Sequence, residues 1–288
     1  LVEIGGSFRI PDVMEKSGGV MREVGTTNKT HLKDYEKAIS KKTGLLLAVH
    51  TSNYRILGFT HAVGLQELSE LGKRKKLPVA FDLGGGAVIG LENFGLPREP
   101  VVGECLRAGV DIVTFSADKI LGGCQAGILV GKKKYIDAVQ ANSLMRALRC
   151  DKMTYAVLEA TLKLYLQPDA LTIKLPALKL MTESIETVRV RAAKLIHACS
   201  ELTDLEMNTR DSFSEAGSGT LPLEKVPSVC VSLRSGRLSA KELAFRLRKL
   251  TVPVIGYVKD QSFHLDMRTV RNDEVALIAE GIKKIMNE

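Results

Sequence analysis

The sequence predicts an α/β fold, with a large domain built on a mainly parallel sheet and a smaller α+β domain at the carboxyl end. Three observations predict it. Between residues 20 and 131, apolar β-branched runs alternate with segments of helical spacing, as strands joined by crossover helices do. Apolar residues then recur at helical intervals over a long connection, residues 172–203. Beyond it, strand-like and helix-like runs mix around a short polar turn, which suits a compact α+β unit. A chain of 288 residues has room for two domains, expected at 1–170 and 171–288.

In chain order, the strands of the first domain are expected at 20–24, 45–50, 78–83, 111–115 and 128–130, with helices near 31–40, 62–76 and 99–109. In a parallel sheet of this kind, ligands gather beyond the carboxyl ends of the strands. Ile136, Val139, Leu144 and Leu148 continue at helical spacing, and the amphipathic pattern at 172–203 reads as a connection. The second domain is expected to hold a loop at 212–222, strands at 228–233, 252–258 and 263–267, and helices at 239–250 and from 272. Lys259-Asp260-Gln261 suits a hairpin turn.

Composition excludes several classes. With 45% hydrophobic and 26% charged residues, the chain is an ordinary globular one. No segment approaches the roughly 18 apolar residues of a membrane span, and no signal-peptide pattern opens the chain. Lys and Arg exceed Asp and Glu by 41 − 33 = 8, a field that favours anionic partners. No basic block interleaved with aromatics singles out nucleic acid. Five dispersed cysteines without a C-x-x-C pair fit a reducing, cytoplasmic setting. The chain opens on Leu1, directly on Leu-Val-Glu-Ile, and a preceding amino-terminal part is expected.

Familiar nucleotide and metal signatures are missing from the sequence. Residues 84–90 do not satisfy G-x-G-x-x-G, and no G-x-x-x-x-G-K-[ST] occurs. His31, His50, His61, His197 and His264 form neither H-E-x-x-H nor a cysteine–histidine cluster, so no metal site is expected. What remains lies at strand ends. Asp82 closes the run Val79-Ala80-Phe81 ahead of three glycines, Lys119 follows the strand at 111–115 inside "FSADKILGGCQAG", and His50, Ser52 and Asn53 follow the strand before both. A carboxylate placed there needs a cationic partner. Pyridoxal phosphate is one such partner, because its ring nitrogen stays protonated beside a carboxylate while a lysine amine bonds to its aldehyde. The other reading is a helix-capping Asp82 and a solvated loop Lys119. Arg146 and Arg149, three apart on an expected helix, read from spacing alone as a solvated face continued by Lys152.

The segments "VEIGGSFRIPDVM", "EVGTTNKTHLKDYE", "VHTSNYRILGFT", "DLGGGA", "GLPREP", "FSADKILGGCQAGILVGKK", "MRALRCDKMTYAVLEATLKLYL", "GSGTLP" and "VPVIGYV" together resemble bacterial selenocysteine synthase, the L-seryl-tRNA(Sec) selenium transferases, in order along essentially the whole chain. The resemblance implies a fold-type-I pyridoxal-phosphate-dependent transferase. It implies conversion of seryl-tRNA(Sec) to selenocysteyl-tRNA(Sec) with selenophosphate, through a dehydroalanyl stage, in a homo-oligomer of dimers assembled into a ring. By position, Lys119 matches the lysine that holds the cofactor and Asp82 the carboxylate at its ring nitrogen. Asp118 matches an acid–base group, Ser116 a phosphate contact, Asn53 a contact to the phenolic oxygen, and His50 a neighbour that stacks or hydrogen-bonds. Arg146 and Arg149 match the arginines that hold the selenophosphate-like anion, which paired guanidiniums do better than lysines. Two positions depart from the family pattern: Gly85, where serine is usual, and Cys124, where proline is usual. Family members also carry a long amino-terminal segment before the part that matches Leu1, with a tRNA-binding domain and a phosphate-cupping loop. The alternatives are a related pyridoxal-phosphate lyase that eliminates from a small amino acid, and a truncated, non-catalytic remnant.

Overall fold

The structure, a computed structural model, describes residues 9–216 and 225–288. They divide into two compact units, one holding residues 9–175 and the other residues 176–216 and 225–288.

The first unit runs α1 (Ile10–Lys16), α2 (Leu32–Ala38), β1 (Leu46–Val49), α3 (Leu65–Lys75), β2 (Val79–Gly84), α4 (Val102–Arg107), β3 (Ile112–Ser116), β4 (Gly127–Gly131), α5 (Lys133–Ala141), α6 (Leu144–Leu148), α7 (Lys152–Leu164) and α8 (Leu171–Lys174). The sheet has the order β1-β2-β3-β4. β1, β2 and β3 are parallel, and β4 turns back antiparallel on β3. Burial explains why these runs become strands. Val79, Phe81, Leu83, Val113 and Phe115 are all buried, so the face of the central strands that they share is covered, while Asp82, Ile112 and Thr114 on the other face are half-buried. α3 lays Leu68 and Leu71 on Leu46 and Val79, and α4 lays Val102 and Cys105 against the cluster of Phe81 and Val113. Each such leucine contributes about 1.5–3 kcal/mol.

Several expectations change here. Residues 20–24 form no strand: the run has no partner strand among the described residues, glycines flank it at 18, 19 and 25, and Val20 is 97% exposed. α1, started by Pro11 in its first turn, was not expected from the sequence. The helical stretch after β4 is broken into α5, α6 and α7, and Asp151 restarts the chain as N-cap of α7 by accepting from the Thr154 N–H at 2.7 Å.

The second unit runs α9 (Pro176–Thr182), α10 (Ile185–Ala198), β5 (Leu205–Glu215), β6 (Lys225–Ser235), α11 (Ala240–Arg248), β7 (Tyr257–Lys259), β8 (Ser262–Asp266) and α12 (Glu274–Asn287). Its sheet, ordered β5-β6-β8-β7, is antiparallel throughout. Val188 and Leu195 of α10, Leu243 and Leu247 of α11, and Ile282 of α12 share one core with Val231 and Leu265. The amphipathic connection expected over 172–203 is helical but interrupted, because Pro176 demands an extended residue before it and Ser184 caps a new start at Ile185 by accepting from the Thr187 N–H. The loop expected at 212–222 is corrected at its beginning, since residues 212–215 belong to β5; residues 217–222 lie outside the described residues. The strand expected at 252–258 shrinks to β7, with Val252 and Ile255 exposed before it. The hairpin turn falls where expected. Asp260 and Gln261 both have positive φ, 48° and 59°, the backbone of a tight two-residue turn that follows strand twist.

Two arginines hold this unit from inside. Arg191, 3% exposed, donates to Asn272 Oδ1, the Met267 carbonyl and Glu183 Oε1. Arg268 donates to the carbonyls of Leu180, Glu183 and Pro227. A buried guanidinium needs this complete set of acceptors.

Candidate active site

Because β1, β2 and β3 are parallel, their carboxyl ends lie on one edge of the sheet. Register aligns the site. Asp82 sits opposite Val49 and Thr114, and the chain continues into His50 on one side and Ser116 on the other. The His50 N–H donates to the Asp82 carbonyl at 2.8 Å, so the turn after β1 is fastened to β2. The Thr114 hydroxyl donates to Asp82 Oδ1 at 3.0 Å, which sets the carboxylate's rotation and leaves Oδ2 without a hydrogen bond among the described residues.

The glycine run after Asp82 brings three segments together. Gly84 has φ +69°, and a Cβ on it would stand 2.6 Å from Ser52 Oγ. Gly86 has φ +76°, and its Cβ would stand 2.7 Å from the Ser116 carbonyl oxygen. Only glycine permits both the backbone and the approach. At Gly85 a Cβ would meet Ile120 Cδ1 at 2.8 Å, so a larger residue there requires Ile120 to move.

Lys119 occupies the turn after β3. Ala117, Ile120 and Leu121 anchor that turn by burial, and Ile120 N–H donates to the Gly85 carbonyl while Gly123 N–H donates to that of Ala117. Tyr165 donates its hydroxyl to the Leu121 carbonyl at 2.9 Å, and burial pushes this phenol up to about 12, which keeps it a donor. Cys124, at the position where the family pattern has proline, lies with Sγ 3.5 Å from the Thr154 carbonyl. A rigid turn thus presents a half-buried Lys119 beside an exposed Asp118. Neither side chain has a hydrogen bond or ion pair among the described residues.

The other expected residues fall as follows. Ser116 ends β3, half-buried, and Asn53 lies in the turn after β1, also half-buried. His50 is more occupied than the sequence suggested: its Nε2 lies 2.8 Å from Glu99 Oε2, and Arg55 Nη2 lies 3.3 Å from Glu99 Oε1. Arg146 and Arg149 do not share a continuous helix face. Arg149 is the C-cap of α6, with extended backbone (φ −63°, ψ 139°), so the three-residue helical relation breaks at its second member. Both are exposed and without side-chain partners among the described residues. Sequence reasoning missed Thr114, Glu99 and Arg55. A polar residue inside "IVTFS" was a usable signal for Thr114; nothing in "GLPREP" marks Glu99 as a buried carboxylate.

The chemistry of this donor set fits one kind of guest. An oriented carboxylate with a spare oxygen, an amine without a counter-ion and a strip of backbone bare of Cβ atoms match a flat, protonated heterocycle carrying an aldehyde. The mixed α/β sheet and the second antiparallel sheet together give the chain a fold-type-I architecture. A solved D-glucosaminate-6-phosphate ammonia-lyase shares the fold, with TM-score 0.57 at 20% identity over 96% of this chain and 66% of that one. Residues 1–271 match the L-seryl-tRNA selenium transferase family, and the chain belongs to it. It is 51% identical over 286 residues to the L-seryl-tRNA(Sec) selenium transferase of Alkaliphilus metalliredigens, covering 99% of this chain and 61% of that protein. To the enzyme of the same name from Haemophilus influenzae it is 47% identical over 282 residues, covering 96% and 61%. The chain therefore spans about three fifths of the length of the curated relatives it matches.

Proposed function

We propose that this chain carries the cofactor-binding and catalytic part of an enzyme that converts seryl-tRNA(Sec) to selenocysteyl-tRNA(Sec), with selenophosphate as selenium donor and pyridoxal 5'-phosphate as cofactor. The observation that carries the reading is Lys119, without a side-chain partner among the described residues, on its fastened turn at the same sheet edge as the Thr114-oriented Asp82. Family membership supplies the substrate class.

Bound at this edge, pyridoxal phosphate supplies an electron sink for the pair left when the seryl Cα–H bond breaks. The chain's own residues do the rest. Asp82 holds the proton on the ring nitrogen, which keeps that sink deep. Lys119 would hold the cofactor through its aldehyde and would supply the amine that takes the α-proton. Asp118, next to it and in contact with solvent, exchanges that proton. Ser116 donates to the cofactor phosphate, Asn53 to the phenolic oxygen, and His50 flanks the ring. Arg146 and Arg149 bind the tetrahedral selenophosphate anion with their forked donors; because Arg149 has left the helix, the two approach that anion from different backbone directions. Leu144 and Leu148 of α6 stay exposed beside them, consistent with a homo-oligomer in which a second copy covers this helix.

The test is turnover. The protein, expressed at the full length its gene encodes, should form selenocysteyl-tRNA(Sec) from seryl-tRNA(Sec) and selenophosphate, and Lys119→Ala should abolish the product. Release of pyruvate from free serine, with charged tRNA left untouched, would refute this reading in favour of a small-amino-acid lyase.

A further inference from the structure

Glu99 is the feature of the first unit that the proposed reaction does not use. It is 4% exposed, and its two carboxylate oxygens are taken by two cationic or cation-forming neighbours: His50 Nε2 at 2.8 Å on one and Arg55 Nη2 at 3.3 Å on the other. A buried carboxylate without partners costs several kcal/mol, so this arrangement is a built one. It draws its three members from the turn after β1 and from residue 99, 49 positions further along.

We propose that Glu99 is a positioning residue of the cofactor edge: by accepting from His50 Nε2 and from Arg55, it fixes the tautomer and the ring orientation of His50, whose ring lies 6.4 Å from that of Phe81, the residue before Asp82. The chemistry is one-sided. Carboxylate oxygens only accept, so the imidazole proton of neutral His50 sits on Nε2. Nδ1 is then an acceptor, and it has no hydrogen-bond partner among the described residues. The backbone of His50 is already tied to the Asp82 carbonyl at 2.8 Å. With the ring held from Nε2, its orientation at the end of β1 is fixed before a ligand arrives. The inference rests on the cofactor reading given above and adds a residue to it that acts only through His50.

Glu99→Gln tests it, because the amide cannot satisfy both neighbours as the carboxylate does. The Arg55 cation claims the amide oxygen, the amide NH2 turns to His50, and the imidazole proton must move to Nδ1. The readout is 15N NMR of the histidine ring nitrogens at a pH where His50 is neutral, joined to a titration with pyridoxal phosphate. In the unsubstituted protein the expected result is an Nε2–H tautomer, with the Nδ1 resonance moving when pyridoxal phosphate is added. In the folded variant the tautomer should switch and the cofactor Kd should rise about tenfold, the lower end of what removal of an outer partner costs a site. An Nδ1–H tautomer in the unsubstituted protein overturns the proposal, and so does a switched tautomer with unchanged cofactor affinity. Should the variant fail to fold, the unsubstituted spectra decide alone: an Nδ1 resonance indifferent to bound pyridoxal phosphate overturns it. Absence of any cofactor adduct on Lys119 in the unsubstituted protein is a separate result, which removes the site reading itself and the proposal with it.

Discussion

Thr114→Val is the substitution whose effect on the site can be worked out most fully. Valine keeps the branched shape inside β3 and deletes the hydroxyl that donates to Asp82 Oδ1 at 3.0 Å. A hydrogen bond to a charged acceptor contributes about 1.5–3 kcal/mol, but that whole amount does not appear in cofactor affinity. The bond exists before the cofactor arrives, so most of it cancels between free and bound protein. What does not cancel is orientation. A carboxylate released by Thr114 must be immobilised again on binding, at about 0.5–1.5 kcal/mol per ordered side chain. The pyridoxal phosphate Kd should therefore rise about 2- to 10-fold, while Asp82→Asn, which removes the charge itself, should cost far more. The assay is an absorbance titration of the cofactor, with chemical denaturation to confirm folding. An unchanged Kd would mean that Thr114 does not orient Asp82; a rise beyond about a hundredfold would mean that Thr114 touches the cofactor directly. Either result refutes the reasoning.

Other outcomes follow from the same contacts. Arg191→Met strands the Glu183 carboxylate and the Met267 carbonyl, and removing one partner of a buried pair should lower the stability of the second unit by about 3–5 kcal/mol in urea denaturation. Gln261→Gly relieves a φ of +59° in the β7–β8 turn and should stabilise by about 1 kcal/mol. Burial pushes the Cys105 thiol from 9.0 up to about 11. Since its folded pKa lies above the unfolded one, its contribution to stability is complete below pH 9 and is lost as the pH climbs through about 11. Alkaline unfolding should begin in that window, be delayed by Cys105→Ala, and be accompanied by resistance of Cys105 to iodoacetamide at pH 8 in the folded protein.

How much of this was readable beforehand depends on burial. β2 is buried at Val79, Ala80, Phe81 and Leu83 and β3 at Val113 and Phe115, and apolar residues fill most of both strands and of β1, so these three announce themselves. β5 is an edge strand with the sequence LEMNTRDSFSE; an edge needs little apolar content, and polar residues there also discourage pairing with other chains, so part of it read as a loop. Residues 20–24 erred in the opposite direction. Their composition is that of a strand, but a strand exists only with a partner, and pairing is not written in a local window. For the proposed site, Asp82 and Lys119 stood out in the sequence because glycines follow each of them. Glu99 and Arg55 were not, because their value comes from a contact across 44 positions that no spacing rule describes. Arg149 shows the limit of helical periodicity: one residue past the end of α6, the three-residue rule no longer places side chains.

The central claim is the bond between Lys119 and the cofactor, and reductive trapping addresses it without substrate or tRNA. Pyridoxal phosphate is added to the protein at its full encoded length, borohydride fixes the adduct, and peptide mass spectrometry locates it. The account predicts a single phosphopyridoxyl label on Lys119, lost in Lys119→Ala and weakened in Asp82→Asn. A label on another lysine, or one that survives Lys119→Ala, contradicts it.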